Sequence, residues 1–309
     1  MTRDLTPLVV VIGGANIDVV ASAPAFHPRV SNPGRIRFGA GGAGRNVAEN
    51  LARLGVRTQL ICAVGDDPLS DLVLAQTRDA GVHLLGTVRV PGLSNAYVAI
   101  TSPDAVTWAA SDMAAAESLA PDQVAAHATV IHTADFVVID ANLSPETIAA
   151  SVRLAEGRRL CLLPVSAAKA TRIAPHLTAA HLIVLSAAEA QILAAEPVHT
   201  VSEATRAIGR LRRSPDTTVV VTMGDHGLVW GGREVIPLPA LPMVAADPSG
   251  AGDAVAAAAV YGLLAGLDER TAAHLALAAG AVTVTVERST HPHLTLDTLY
   301  THAPRTAPR

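Results

Sequence analysis

The sequence predicts an α/β protein with a mainly parallel central sheet and a small accessory β-sheet, on three observations. From Gln59 to Arg213, short β-branched runs alternate with helical stretches, the pattern of βαβ units. Three strand-like runs at 87–90, 96–101 and 105–109 have no helix between them. With the Pro- and Gly-punctuated stretch 16–40 they read as a second β segment, an excursion that would serve as a lid. Finally, the turn Asp247-Pro248-Ser249-Gly250-Ala251-Gly252-Asp253 runs into an Ala-rich stretch to Leu264 that reads as a buried helix.

In chain order, Val9 to Ile12 is a buried strand that stops at Gly13-Gly14. Gly39 to Gly44 is glycine-rich and leads into a helix over about 47–54. Strands follow at Leu60–Val64, Phe136–Ile139, Leu160–Leu163 and Leu182–Leu185, separated by helices at about 68–80, 145–156, 167–175, 187–195 and 202–213. Thr218–Thr222 is a further strand, joined through Met223-Gly224-Asp225-His226-Gly227 to the shorter runs 228–230 and 234–238. A long apolar helix spans Glu269–Val286, Ser289 to Pro292 is a loop, and the Pro/Arg-rich tail from Ala303 reads as mobile.

With 309 residues, half of them hydrophobic but only 3% aromatic, the core is built from Ala, Val, Leu and Ile. No repeat, heptad run or linker divides the chain, so 1–309 is expected to be one domain, its lid inserted at about 16–40 and 87–112. A net charge of −4 without basic or acidic blocks argues against nucleic acid or an anionic membrane as partner. Met1 to Pro7 has no signal-peptide pattern and no apolar run approaches a membrane span, so a cytoplasmic location is expected. Cys62 and Cys161 lie in apolar runs and read as buried thiols; a disulfide or metal pair is the weaker alternative. The twelve histidines are scattered and suggest no zinc site. Lys169 is the only lysine, which excludes a Gly-Lys-Ser/Thr phosphate loop.

The chemistry-bearing stretch is 247–253. A helix starting near Gly250 offers free N–H groups and a partial positive charge, suited to a phosphate or an anionic transition state. Asp253 in that first turn is placed to accept a proton from a hydroxyl; an N-terminal helix charge is the bland reading. Asn16 and Asp18 stand just beyond the first strand, where open α/β sheets bind ligands, as turn formers or as holders of a polyhydroxyl compound. The run 39–44 formally contains G-x-G-x-x-G, but it does not follow the first strong strand as a dinucleotide fingerprint requires.

Gly250-Ala251-Gly252-Asp253, with Asp247 before it, resembles the signature of the ribokinase-like (PfkB) carbohydrate and nucleoside kinases; Pro248 stands where that family usually has Thr. Gly13 to Asp18, Gly41-Gly42 with Asn46, Gly65-Asp66-Asp67, and Thr222-Met223-Gly224 with Gly227 are similar to further family motifs in the same order. Ser31 to Gly34, Gly44-Arg45-Asn46, 140–144, 164–169 and 289–294 resemble the pseudouridine kinase branch. The resemblance implies a three-layer αβα sandwich with a β-sheet lid and phosphoryl transfer from ATP to the 5′-hydroxyl of a nucleoside, pseudouridine first. It implies Asp253 as base and Gly250, Ala251 and Gly252 as anion hole. Asn16, Asp18, Gly41, Gly42 and Asn46 would hold the sugar, with Ser94, Tyr97, Asn142 and Lys169 near the base. Thr222, Gly224, Gly227 and Ser186 would lie on the ATP side, Glu189 would organise Mg²⁺, and K⁺ or another monovalent cation and a homodimer through the lid complete the picture. Asn142 also reads as a turn or cap, and Lys169 as a surface side chain. Two departures stand out: Leu163 replaces an Asp, and Ser186 replaces the Asn of Asn-x-x-Glu. A kinase for another nucleoside or sugar, or a nucleoside-binding protein with weakened chemistry, are the alternatives.

Overall fold

The computed structural model describes residues 7–27, 29–102 and 105–304. The leader reading of residues 1–6 and the tail beyond Pro304 lie outside them. The strands are β1 Leu8–Ile12, β2 Asn16–Ser22, β3 Arg35–Gly41, β4 Arg57–Gly65, β5 His83–Val90, β6 Ala96–Ser102, β7 Ala105–Asp112, β8 Phe136–Asp140, β9 Arg159–Leu163, β10 Leu182–Ser186, β11 Thr218–Thr222, β12 Leu228–Gly231 and β13 Val235–Leu238. The helices are α1 Ala43–Arg53, α2 Pro68–Asp79, α3 Ala114–Glu117, α4 Pro121–Ala125, α5 Ala128–Thr133, α6 Pro145–Leu154, α7 Ala187–Ala194, α8 Val201–Leu211, α9 Ala251–Leu264, α10 Glu269–Thr283 and α11 Leu296–His302.

Nine strands form the central sheet in the order β13-β12-β11-β10-β9-β8-β1-β4-β5. Its pairings are parallel from β5 to β11. The last two, β11–β12 and β12–β13, are antiparallel. Strands covered on both faces must be apolar at every position, and β1 reads Leu-Val-Val-Val-Ile with all five residues buried. Its alternate residues serve different cores: Val9 and Val11 pack with Val47, Leu51 and Ala256 of α1 and α9, whereas Val10 and Ile12 pack with Ile148 and Ile208 of α6 and α8. The result is three layers, helix–sheet–helix.

The second sheet has four strands in the order β3-β2-β6-β7. One expectation is corrected here. The run at 87–90 belongs to β5, which extends the central sheet beside β4, so the smaller sheet draws its second half from residue 96 onward. The expected helix at 167–175 is replaced by two 3₁₀ turns, Ala170–Arg172 and Ala174–Ala179; Pro175 has no N–H with which to continue an α-helix. Helix α1 begins at Ala43, four residues before the predicted start, which puts Asn46 in its first turn.

Candidate active site

The sheet ends that matter are the carboxyl ends of β1, β8, β9, β10 and β11. Pairing Ile12 with Ile139 sets Gly13-Gly14 beside Asp140, and pairing Ser186 with Thr222 aligns those two side by side. A cavity of about 700 Å³ opens over this edge, lined by Asn16, Asp18, Asn46, Tyr97, Lys169 and Asp253 among others. A second of about 710 Å³ lies beside it, walled largely by apolar residues such as Met223, Leu241, Val255 and Leu277. Ser186, Thr222 and Gly252 line both, so the cavities meet at the N-terminus of α9.

Gly250 caps α9 with φ at +75°, and a Cβ there would lie 1.8 Å from the Ser289 carbonyl oxygen, so only glycine fits. In the first turn, the N–H groups of Gly252 and Asp253 have no intrahelical acceptor, while that of Ala251 donates to the Pro248 carbonyl at 3.4 Å. Asp253 sits on the wall of the first cavity. Asn46 Nδ2 donates to its Oδ2 at 2.8 Å. Burial, against that hydrogen bond, and the neighbouring carboxylates of Asp140, Glu189 and Asp18 push its carboxyl up to about 7.

Asp18 accepts from Asn16 Nδ2 at 2.7 Å and from Ser289 Oγ at 2.6 Å, and burial raises its carboxyl above the usual range. Gly42 has φ +99°, and a Cβ there would sit 2.6 Å from the Gly14 carbonyl oxygen; the diglycine thereby lets α1 start against the loop after β1. Lys169 Nζ donates to Asn142 Oδ1 at 2.9 Å, and burial holds its ammonium below the ordinary lysine value.

On the other side, Gly224 and Gly227 line the second cavity with Thr222. Ser186 caps α7 through a capping box: Glu189 N–H donates to Ser186 Oγ at 3.4 Å, and Ser186 N–H donates to Glu189 Oε2 at 2.7 Å. Serine thus keeps the capping role open to an asparagine at that position. Glu189 is buried, which raises its carboxyl, and it faces the first cavity.

The structure therefore brings Asn16, Asp18, Gly42, Asn46, Tyr97, Asn142, Lys169, Ser186, Glu189, Thr222, Gly250, Gly252 and Asp253 to one cavity wall. Ala251, Gly224 and Gly227 line the second. Gly41 pairs with Asn16 and supports Asp18 without reaching the wall. Ser94 is displaced from the expected position: its Oγ lies 3.5 Å from Asp67 Oδ2 at the start of α2. Leu163 is a buried apolar part of the wall.

Three residues with site roles lie in segments that resemble the pseudouridine kinase branch, but the resemblance assigns them no role of their own. Asp140, fully buried, accepts from the N–H of Gly14 at 2.9 Å, of Gly44 at 2.7 Å and of Asn142 at 2.8 Å, and so ties three loops together. Beyond that resemblance, its position at the end of a central parallel strand is the available signal. Ser289 meets Asp18 across 271 residues of sequence. Val165 holds φ +69°, strained for a β-branched residue, in a turn closed by Ser166 N–H to the Pro164 carbonyl, and lines the cavity.

A model of the pfkB family carbohydrate kinases matches residues 6–296. The chain belongs to that family. An "Uncharacterized sugar kinase YeiI" of Escherichia coli is 31% identical, aligned over 93% of this chain and 81% of its own. A pseudouridine kinase of the same organism is 28% identical over 93% and 94%. In structure, the ribokinase of Thermotoga maritima superposes with a TM-score of 0.80, covering 96% of this chain and 99% of its own, at 20% identity, which speaks for the fold. The protein is accordingly a ribokinase-like, ATP-dependent kinase for a sugar or nucleoside acceptor.

Proposed function

We propose that the protein transfers the γ-phosphoryl group of ATP to the 5′-hydroxyl of a nucleoside, with pseudouridine as the first candidate. The observation that carries this reading is the meeting of two cavities at the N-terminus of α9, with Asp253 on the acceptor side. Asn16, Asp18 and Asn46 offer amide and carboxylate groups to the hydroxyls of a pentose. The same cavity is lined by Tyr97, Met113 and Val165 and by the polar side chains of Asn142 and Lys169. Apolar walls with a few convergent polar groups suit a flat heteroaromatic ring. The relative described as a pseudouridine kinase supports the choice of base; the relative described as a sugar kinase supports a ribose-like acceptor as the second reading.

In the reaction, Asp253 takes the proton of the acceptor hydroxyl as it attacks, and a carboxyl pushed up to about 7 is matched to that task near neutral pH. The expected anion hole of Gly250, Ala251 and Gly252 moves on by one residue in this reading: with the Ala251 N–H engaged by Pro248, the free N–H groups of Gly252 and Asp253 would stabilise charge on the transferring phosphoryl group. ATP occupies the second cavity, its base among the apolar side chains and its phosphates towards Thr222 and Gly224. The polar groups fit Mg²⁺, an ion that keeps most of its waters and needs one or two carboxylates: Glu189 is a buried carboxylate facing the junction. When bound there, Mg²⁺ supplies charge neutralisation on the phosphate oxygens. A monovalent cation such as K⁺ remains part of the proposal by family resemblance. The smaller sheet acts as a lid that excludes water. Its outward Ile36, Phe38, Val98 and Trp108 support pairing with a second copy. No described helix is long and apolar enough to cross a membrane, and the proposed location is the cytoplasm.

The test is ATP consumption with Mg²⁺ against pseudouridine, uridine, adenosine and ribose, with the product's phosphate position read by ³¹P–¹H NMR. Turnover of pseudouridine to its 5′-phosphate supports the reading. Turnover of ribose alone would replace the nucleoside with a sugar, and binding without turnover would replace the enzyme with a binding protein.

A further inference from the structure

Next to the base-holding Asn46 lies a buried ion pair to which the reaction as described gives no part. Arg45 and Glu49, one turn apart on α1, are both almost wholly covered, with side chains 3% and 4% exposed. Arg45 Nη2 donates to Glu49 Oε2, Nε donates to Thr77 Oγ1 at 3.1 Å, and Nη1 donates to the Ala40 carbonyl at 3.0 Å and to Asn46 Oδ1 at 3.1 Å. Glu49 is held in turn by Thr290 Oγ1 at 2.9 Å and by Arg53. A guanidinium has donors only. The Asn46 atom that faces it must therefore be the carbonyl oxygen, which leaves Nδ2 to face Asp253, 2.8 Å from its Oδ2. Turned the other way, the amide would set an oxygen against a carboxylate and its NH₂ against a cation.

We propose that the buried Arg45–Glu49 pair is a positioning device that fixes the orientation of the Asn46 amide, and through it the protonation and aim of Asp253. The inference rests on the reading of Asp253 as the base. Asp253 is also faced by the carboxylates of Asp140 from β8, Glu189 from α7 and Asp18 from β2, all of which oppose its ionisation. Asn46 supplies the side-chain donor that favours it. Arg45 carries its charge to Asp18 as well, so a test must remove the pair without changing net charge.

The experiment substitutes Arg45→Met together with Glu49→Gln, a neutral replacement of the pair that buried ion pairs often tolerate. It is made in the wild-type chain and in an Asn46→Ala background. The Asp253 titration is read by carboxyl ¹³C NMR on the ligand-free protein, the resonance identified by its loss in Asp253→Asn; kcat/KM is read with whichever of pseudouridine, uridine or ribose is turned over. The expected result is an Asp253 midpoint raised by about half a pH unit or more and a kcat/KM lowered roughly 10- to 100-fold. In the Asn46→Ala background the same pair of substitutions should shift the midpoint by less than about 0.3 pH unit and kcat/KM by less than about twofold. Arg45→Lys keeps a donor-only cation but not the fork that reaches Thr77, Ala40, Asn46 and Glu49 together, and is expected to fall between the wild type and the pair variant. A folded pair variant with wild-type midpoint and kcat/KM would overturn the inference, as would an Arg45→Lys variant more impaired than the pair variant, or effects that add to those of Asn46→Ala. Retained turnover in Asp253→Asn would instead remove the base assignment, and the NMR midpoints would still decide whether the pair orients Asn46.

Discussion

Replacing Asp253 by Asn should make the protein more stable at pH 8 while removing its activity. The carboxyl is pushed up to about 7 by burial and by three neighbouring carboxylates. The folded state therefore holds a proton up to about neutrality, whereas the unfolded chain releases it near pH 4, roughly the ordinary aspartate value. Between those values the folded state binds more protons, so stability falls as pH rises. At about 1.4 kcal/mol per pH unit, the upper bound is about 4 kcal/mol. Relaxation of the ionised group towards cavity water brings the expected difference to roughly 2 kcal/mol. Unfolding entropy of about 2.1 cal/mol/K per residue over 309 residues converts that to roughly 3 °C in Tm. Asn keeps an oxygen to accept from Asn46 and carries no charge. Calorimetric melts at several pH values check this: Asp253→Asn should melt higher at pH 8, with the gap narrowing towards pH 5. A variant that melts at or below the wild type at pH 8, or a gap independent of pH, would refute the reasoning.

The same carboxyl should give kcat/KM for the acceptor an acid limb displaced above the usual carboxylate range, towards about 7; a limb near pH 4 would contradict the assignment. Gly250→Ala should force the Ser289 loop and the start of α9 apart, lowering kcat about 100-fold or more with a clear loss of thermal stability. Ser186→Ala should cost about 1 kcal/mol in urea melts through the lost cap of α7, whereas Ser186→Asn should be near neutral.

Much of the fold is legible because buried parallel strands announce themselves. The runs at β1, β8, β9, β10 and β11 are apolar at nearly every position, and glycine, proline or polar residues end them. The three short helices between Ala114 and Thr133 are not, since four to six residues show no period, and Pro121 and the surrounding alanines give only local hints. The placement of β5 depends on pairing with β4, which a strand's own residues do not record. Within the site, Gly250 and the diglycine at 41–42 are visible because the space around the backbone demands glycine there. The segments of Asp140 and Ser289 show only a resemblance and their roles are not legible, because these come from partners 126 and 271 residues away. Ser94 differs for the opposite reason: its local sequence reads as lid, but its hydroxyl faces Asp67.

The most direct measurement is the rate of phosphoryl transfer in a single turnover by Asp253→Asn, with ATP and acceptor bound at saturation. If Asp253 is the base between two cavities, transfer should fall by about 100- to 10,000-fold with little change in ATP binding. Transfer at the wild-type rate would contradict the central assignment and move the chemistry to another residue of the wall.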